Sequence, residues 1–222
     1  MEYRSRDYDI RHLIFCRKQR IVLLLLALYL TVGVTCEFGF SAMVFAFAVG
    51  HPSLKFTKSQ AAFLTSLFWA SFTVSRVVTT GLSLKLSPSQ LIVGSHIIYV
   101  ASALFMMLLI DTSPAFIVWL GTAFVAFGLS PYWANVTAWS VQYIQLTPGS
   151  IGLIMMPASS GMMLIPFIIG NQISANPQYF LYCNTALALL LTAIAVAIIV
   201  YGNTEALREY KTKNESIEMN SH

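Results

Sequence analysis

The stretch Tyr29-Leu30-Thr31-Val32-Gly33-Val34-Thr35-Cys36-Glu37-Phe38-Gly39-Phe40-Ser41 places one carboxyl group in the middle of an apolar run. The run extends from residue 21 to residue 50, and Glu37 is its only acidic or basic side chain. A carboxylate at the centre of a membrane-spanning helix costs about 2.5–3.5 kcal/mol on insertion scales. The cost is tolerated where the side chain faces other helices or water, so Glu37 predicts either a buried carboxyl bonded to a neighbouring helix or a contact in a solute pathway. Gly33 and Gly39 flank the acid and allow the helix to bend there.

The composition around this run is that of a membrane protein. Of the 222 residues, 57% are hydrophobic and 10% are charged, whereas soluble domains carry about 25% charged residues. Twelve of the thirteen Lys and Arg residues lie in the first 20 residues, in the last 20 or in short connections between apolar segments, so nucleic acid is not an expected partner. Three widely separated cysteines indicate neither a disulfide framework nor a zinc site.

Six apolar segments are long enough to cross a bilayer as helices, which predicts an all-α membrane protein. Their approximate bounds are 21–50, 59–84, 91–110, 115–143, 149–173 and 178–202. Together they make a transmembrane domain over residues 21–203, between a basic tail (residues 1–20) and a charged tail (residues 204–222) that is expected to be disordered. The first segment, at 1.5 Å per residue, extends about 45 Å and must tilt, bend or protrude from a ~30 Å hydrocarbon layer.

The distribution of basic residues predicts the orientation of these spans. If both ends lie on one side, that side carries ten Lys and Arg residues and the opposite side carries only Lys55 and Lys58. The positive-inside rule therefore places both termini in the cytoplasm. We expect a multi-pass protein of the plasma membrane.

The second span carries polar residues at helical spacing. Thr65, Trp69 and Arg76 share one face of the predicted helix. Arg76 lies about eight residues, or ~12 Å, from the cytoplasmic end of its span, where snorkelling only partly relieves the burial of its charge. Arg76 is therefore predicted either to anchor the helix at the cytoplasmic side or to contact a gate or solute.

The fourth and fifth spans hold further candidate residues. Tyr132, Asn135 and Trp139 are predicted to share a face, and an amide between two aromatic rings is suited to binding a sugar and equally to packing a bundle. In the fifth span, Pro157 and Gly161 are predicted to interrupt the helix and to allow close approach of a neighbour.

Motifs of common catalytic and phosphate-binding sites are absent from the sequence. It has no HExxH, no GxSxG and no glycine-rich phosphate loop, and His96 has no second candidate metal ligand near it. We therefore expect neither an enzyme nor a bound metal or cofactor.

Several stretches resemble the carboxy-terminal six-helix half of a major facilitator superfamily transporter, nearest to the group of sodium-dependent glucose transporters and fucose permeases. The most specific is Phe68-Trp69-Ala70-Ser71-Phe72-Thr73-Val74-Ser75-Arg76, and others are Leu86-Ser87-Pro88 and Ala158-Ser159-Ser160-Gly161. The resemblance covers residues 21–202. It implies half of a bundle whose two six-helix halves rock around a central solute site, the alternating-access mechanism.

The resemblance also implies a solute, a coupling ion and a partner. The expected solute is a hexose, and Glu37 is a candidate for coupling a sodium ion or a proton to its transport. The residues expected to line the pathway are Glu37, Phe40, Ser41, Thr65, Trp69, Tyr132, Asn135 and Trp139. The expected gating or anchoring residues are Arg76, Gly33, Gly39, Pro157 and Gly161. A lone half requires a complementary half or a second copy of itself, and the alternative is a non-transporting scaffold that pairs with a full-length transporter.

Overall fold

The computed structural model describes residues 2–144, 148–170, 172–173 and 176–220. This part of the chain contains helices and no β-strand, which confirms the predicted all-α class. The helices are α1 (Glu2–Gly50), α2 (Lys58–Leu82), α3 (Pro88–Leu109), α4 (Pro114–Leu129), α5 (Tyr132–Ser140), α6 (Pro148–Ile169) and α7 (Gln178–Asn220).

The helices are long and apolar enough for an integral, multi-pass membrane protein. Within the described residues, five segments meet the length and hydropathy required to cross a bilayer: Arg20–Gly50, Lys58–Leu82, Pro88–Leu109, Pro114–Ser140 and Gln178–Thr204. The remaining predicted span, the fifth, corresponds to α6, which has 22 residues. Several side chains of α6, at positions 164–166 and 168–169, lie outside the description.

The bundle is built around α1. This helix contacts α2, α4, α5, α6 and α7, whereas α3 packs on α4, α5 and α7. Fully buried side chains of α1, including Leu26, Val44 and Phe47, form the centre of the hydrophobic core. The arrangement agrees with one half of a major-facilitator-type bundle.

Two helices begin with capping boxes that the sequence encodes at matching spacing. At the start of α2, Gln60 N donates to Thr57 Oγ1 (3.2 Å) and Thr57 N donates to Gln60 Oε1 (2.9 Å). At the start of α3, the same pair of bonds joins Ser87 and Gln90. Each box satisfies backbone N–H groups that a helix leaves without partners at its first turn. The two helices therefore begin at residues 58 and 88, slightly earlier than predicted.

Both terminal segments are helical in the structure, whereas the sequence predicts disorder for the C-terminal one. The structure has α1 beginning at Glu2 and α7 continuing to Asn220, so residues 2–20 and 204–220 are helical. Neither segment contains a glycine or proline that would end a helix, and both are rich in residues with good helix propensity. The prediction of disorder rests on charge and low hydrophobicity. These properties exclude burial in a bilayer but do not exclude helical structure.

Proline acts differently from the prediction in the fifth span. No break occurs in α1 at Gly33 or Gly39, and α6 continues through Pro157. A proline inside a membrane helix removes one backbone hydrogen bond, and neighbouring groups can compensate for it.

The predicted fourth span is divided into α4 and α5 at Pro131. Because Pro131 has no N–H, the Phe127 carbonyl loses the donor that a continuous helix would supply. Ser75 Oγ of α2 donates to this carbonyl instead (2.6 Å), and Ser130 Oγ donates back to the Phe72 carbonyl of α2 (2.7 Å). We call this reciprocal pair the serine clasp. It fixes the break against α2.

Candidate functional site

A cavity of about 630 Å³ lies between α1, α2 and the α4–α5 break. It is lined by Val34, Glu37 and Phe38 of α1, by Arg76, Thr79, Thr80 and Ser83 in and just after α2, and by residues 130–135 and 138. Its volume is within the range of about 300–1,000 Å³ that is typical of small-molecule sites.

Glu37 is held by α5. Its side chain is only 7% exposed, and the Tyr132 hydroxyl donates a hydrogen bond of 2.8 Å to Glu37 Oε2. Tyr132 is the first residue of α5, so this bond joins the helix after the proline break to α1. The carboxyl is thus bonded to a neighbouring helix, as one of the two alternatives predicted, and it also lies at the cavity wall.

Gly33 and Gly161 allow close packing against α1. A Cβ on Gly33 would lie 2.5 Å from Cδ2 of the Tyr132 ring, and a Cβ on Gly161 would lie 2.7 Å from the Thr31 carbonyl oxygen. Both distances are too short for real contacts, so a side chain at either position would displace its neighbour. These two glycines accommodate Tyr132 and α6, respectively.

Arg76 contributes a positive charge to the same cavity. Its side chain is exposed, and its Cζ lies 4.7 Å from the centre of the Phe72 ring in a cation–π contact. Thr79 and Thr80 follow it along the cavity wall. The cavity therefore combines a carboxyl, a guanidinium and hydroxyl groups, an unusual set for a membrane-spanning region.

Asn135 is the buried amide of the cavity. It is 4% exposed, and its Nδ2 atom has no hydrogen-bond partner among the described residues. The face predicted for Tyr132, Asn135 and Trp139 is buried along its length, but Trp139 does not reach the cavity lining. Its ring packs against Tyr143, with ring centres 4.7 Å apart. The ring that accompanies Asn135 at the cavity is Trp133, which is half-buried.

The other residues predicted for the pathway lie outside the cavity lining. Phe40 is buried and stacks on Phe68, with ring centres 5.3 Å apart. Ser41 and Thr65 donate hydrogen bonds to backbone carbonyls of their own helices. Trp69 packs edge-on against Phe38, and it is Phe38 that reaches the cavity.

The two remaining residues predicted to act in gating are Gly39 and Pro157. Gly39 is buried within α1, and Pro157 is exposed on α6. Neither residue lines the cavity.

The sequence reasoning missed a buried polar chain that begins on α1 one turn before Gly33. The Tyr29 hydroxyl lies 2.7 Å from His96 Nε2, His96 Nδ1 lies 3.1 Å from Thr192 Oγ1, and Thr192 donates to the Ala188 carbonyl (2.7 Å). Because the Thr192 hydroxyl hydrogen is already donated, its oxygen accepts from His96 Nδ1–H, and Nε2 accepts from Tyr29. We call this the Tyr29–His96–Thr192 chain. It joins α1, α3 and α7.

His96 is therefore a cross-link between helices. From the sequence, His96 was assessed only as a possible metal ligand. The described residues contain no group of three His, Cys, Asp or Glu side chains that could hold a metal ion. The helical spacing of Tyr29, His96 and Thr192 within three separate spans gives no sign that they meet.

Comparison with known proteins confirms the resemblance to the major facilitator superfamily. The chain is 28% identical over 198 residues to sodium-dependent glucose transporter 1 of Homo sapiens, covering 89% of this chain and 38% of that protein. It is 30% identical over 176 residues to sodium-dependent glucose transporter 1A of Mus musculus, covering 79% and 40%. It is 27% identical over 175 residues to major facilitator superfamily domain-containing protein 4A of Xenopus tropicalis, covering 78% and 34%.

The chain thus spans between a third and two fifths of the length of these curated relatives. No protein-family model matches it. The similarity to transporters agrees with the expectation that the chain is not an enzyme.

Proposed function

We propose that this chain forms one wall of the solute pathway of a membrane transporter, as half of an alternating-access bundle. The observation that carries the proposal is the meeting of Glu37, Arg76 and Asn135 at one cavity of a membrane bundle. Ionisable side chains inside a membrane-spanning bundle cost free energy to bury, and they are typical of transport pathways. The similarity to proteins named as sodium-dependent glucose transporters supports the same function.

The proposed solute is a hexose or a similar neutral polyol. The half-buried rings of Trp133 and Phe38 offer apolar surfaces against which the CH groups of a sugar ring can pack. The Asn135 amide and the Thr79 hydroxyl offer hydrogen bonds to its hydroxyl groups. A largely apolar cavity with a few well-placed polar groups is the usual form of a small-molecule site.

Uptake of labelled hexose into proteoliposomes tests this solute site. We expect Asn135→Leu and Trp133→Phe each to reduce uptake about fivefold or more, because loss of one buried hydrogen bond costs about 1–3 kcal/mol and the Phe ring offers a smaller stacking surface than the Trp ring. Trp69→Phe is the matched control, because Trp69 lies outside the cavity lining and should change uptake less than twofold. Equal losses for Trp133→Phe and Trp69→Phe would contradict the assignment of the cavity as the solute site.

Glu37 is the proposed coupling site for a sodium ion or a proton. It is the only acidic residue within the predicted spans, and its carboxyl reaches the cavity. The name of the glucose transporter relatives favours sodium. With uptake measured under a sodium gradient, a proton gradient or neither, the wild type should respond to one gradient and Glu37→Gln to none. Equal gradient dependence of both proteins would remove Glu37 from coupling.

The partner that completes the pathway is proposed to be a complementary six-helix half. Arg76 and Thr80 are exposed on α2 beside the cavity. A second copy related by a two-fold axis across this face would bring Arg76 towards its own counterpart, whereas a complementary half can supply a carboxylate. Mass measurement and crosslinking in mild detergent separate a homodimer from a hetero-complex. A hetero-complex without any uptake would favour the alternative of a non-transporting scaffold.

The proposed setting of this transporter is the plasma membrane with both termini in the cytoplasm. The ten-to-two distribution of basic residues supports this orientation.

A further inference from the structure

We propose that Tyr132 is a positioning residue that docks α5 onto α1, and that this docking holds Asn135 and Trp133 in the cavity wall. The inference rests on the proposed function, because it assigns solute contact to Asn135 and Trp133 and removes it from Tyr132.

Tyr132 is engaged by α1 along its whole side chain. Its hydroxyl donates to Glu37 Oε2, its ring lies over the bare backbone of Gly33, and the Tyr29 ring is 6.3 Å away between ring centres. Only 2% of the residue is exposed. Little of the ring is left to contact a solute, although the residue borders the cavity.

The local structure of α5 makes such an anchor necessary. The helix has only nine residues, and no side chain caps its N-terminus. Helices this short are unstable alone, so tertiary contacts must hold them. Because Pro131 interrupts the backbone hydrogen bonding from α4, continuity with α4 cannot supply that support.

Two aromatic residues fix the two ends of α5. Tyr132 docks the first turn on α1, and Trp139 packs the last turn beside Gly202 of α7 and against Tyr143. Asn135 lies one turn after Tyr132 and between the two anchors. Its position at the cavity therefore depends on both ends, and the Tyr132 end is held on α1 by the hydrogen bond to Glu37 together with the packing of the ring on Gly33.

A buried cysteine reporter on α5 tests the docking directly. Val136 is fully buried and lies one turn after Tyr132, so Val136→Cys is protected from thiol reagents while α5 is docked. The full chain, with Cys16→Ser and Cys183→Ser, is placed in lipid nanodiscs and alkylated with a charged maleimide. The same chain without Val136→Cys gives the background from buried Cys36.

We expect Tyr132→Phe to raise the alkylation rate about tenfold, because it removes a hydrogen bond to a carboxylate and keeps the ring on Gly33. Tyr182→Phe is the matched control: Tyr182 is an exposed tyrosine of α7, and its loss should leave the rate within twofold of wild type. Glu37→Leu should raise the rate as much as Tyr132→Phe, and the double variant should be no faster than either single variant.

A rate for Tyr132→Phe within twofold of wild type would overturn the proposal, as would additive effects of Tyr132→Phe and Glu37→Leu. If the reporter chain does not fold, hydrogen exchange of residues 132–144 in the cysteine-unmodified chain gives the same comparison. Alkylation and exchange need no transport. Absence of hexose uptake by the wild type would therefore count against the proposed function alone, and the docking would be judged separately.

Discussion

Replacing Ser75 by alanine tests the serine clasp. Ser75 is fully buried, and its hydroxyl is the replacement donor for the Phe127 carbonyl, which Pro131 deprives of a helical partner. Loss of a buried partner costs about 1–3 kcal/mol in water-soluble proteins, whereas side-chain hydrogen bonds inside membranes average about 0.6 and reach about 1.7 kcal/mol. Because Pro131 leaves this carbonyl without its helical donor, we expect a loss near the upper membrane value, about 1.5 kcal/mol.

Removing the other hydroxyl of the serine clasp, that of Ser130, should destabilise the chain less. The Ser130 hydroxyl donates to the Phe72 carbonyl, which lies inside the uninterrupted helix α2 and keeps its own helical donor. Ser130→Ala should therefore cost only about 0.5 kcal/mol. Ser66→Ala is a control on the same helix, because the Ser66 hydroxyl is exposed and bonds only to Ala62 of its own helix.

Denaturation of the full chain by sodium dodecyl sulfate in mixed micelles, followed by far-UV circular dichroism, measures these differences. The expected order of destabilisation is Ser75→Ala above Ser130→Ala, with Ser66→Ala close to wild type. If Ser130→Ala destabilised the chain as much as Ser75→Ala or more, the reasoning that Pro131 makes the Phe127 carbonyl depend on the Ser75 hydroxyl would be refuted.

Three further predictions concern other parts of the molecule. Gly33→Ala should destabilise the chain by about 1–3 kcal/mol, because its Cβ would overlap the Tyr132 ring, and the same change should cost much less when it is made in a Tyr132→Ala chain, as the denaturation assay can measure. Burial lowers the pKa of His51 below its usual 6.5, against the opposing effect of Asp111, so the unfolded chain takes up the proton first as the pH falls. The melting temperature should therefore fall between pH 8 and pH 5, and His51→Gln should flatten that profile; an unchanged slope would contradict it. The sequon at Asn214 should carry no glycan after expression in mammalian cells, and a glycan there would reverse the proposed orientation.

The fold was largely predictable because helices that span a bilayer appear in the sequence as long apolar runs. The exception is the segment from residue 115 to residue 143, where the run is continuous although the helix is not. Pro131 marks the break in the sequence, but a proline is also compatible with a continuous membrane helix, as Pro157 in α6 illustrates. Which outcome occurs depends on whether a neighbour such as Ser75 satisfies the freed carbonyl, and that requires the tertiary arrangement.

The site was predictable in part for a related reason. Glu37 stands out because a carboxyl in an apolar run is costly, and Asn135 because it is an amide between two aromatic rings, and the structure brings both to one cavity. Helical spacing placed Trp139 on the same face as Asn135, but spacing cannot tell that the two ends of a short helix meet different neighbours. Trp133 was missed because its role depends on how α5 is rotated after the break, which no periodicity over nine residues defines.

The Tyr29–His96–Thr192 chain has a consequence for how the bundle can move. Its hydrogen bonds all run in one direction, from the Tyr29 hydroxyl through the His96 imidazole and the Thr192 hydroxyl to the Ala188 carbonyl. Each hydroxyl or N–H donor in the chain is therefore already used. Sliding α1, α3 or α7 past one another would break the series in an apolar interior without replacement partners. The Tyr29–His96–Thr192 chain therefore opposes relative sliding of α1, α3 and α7.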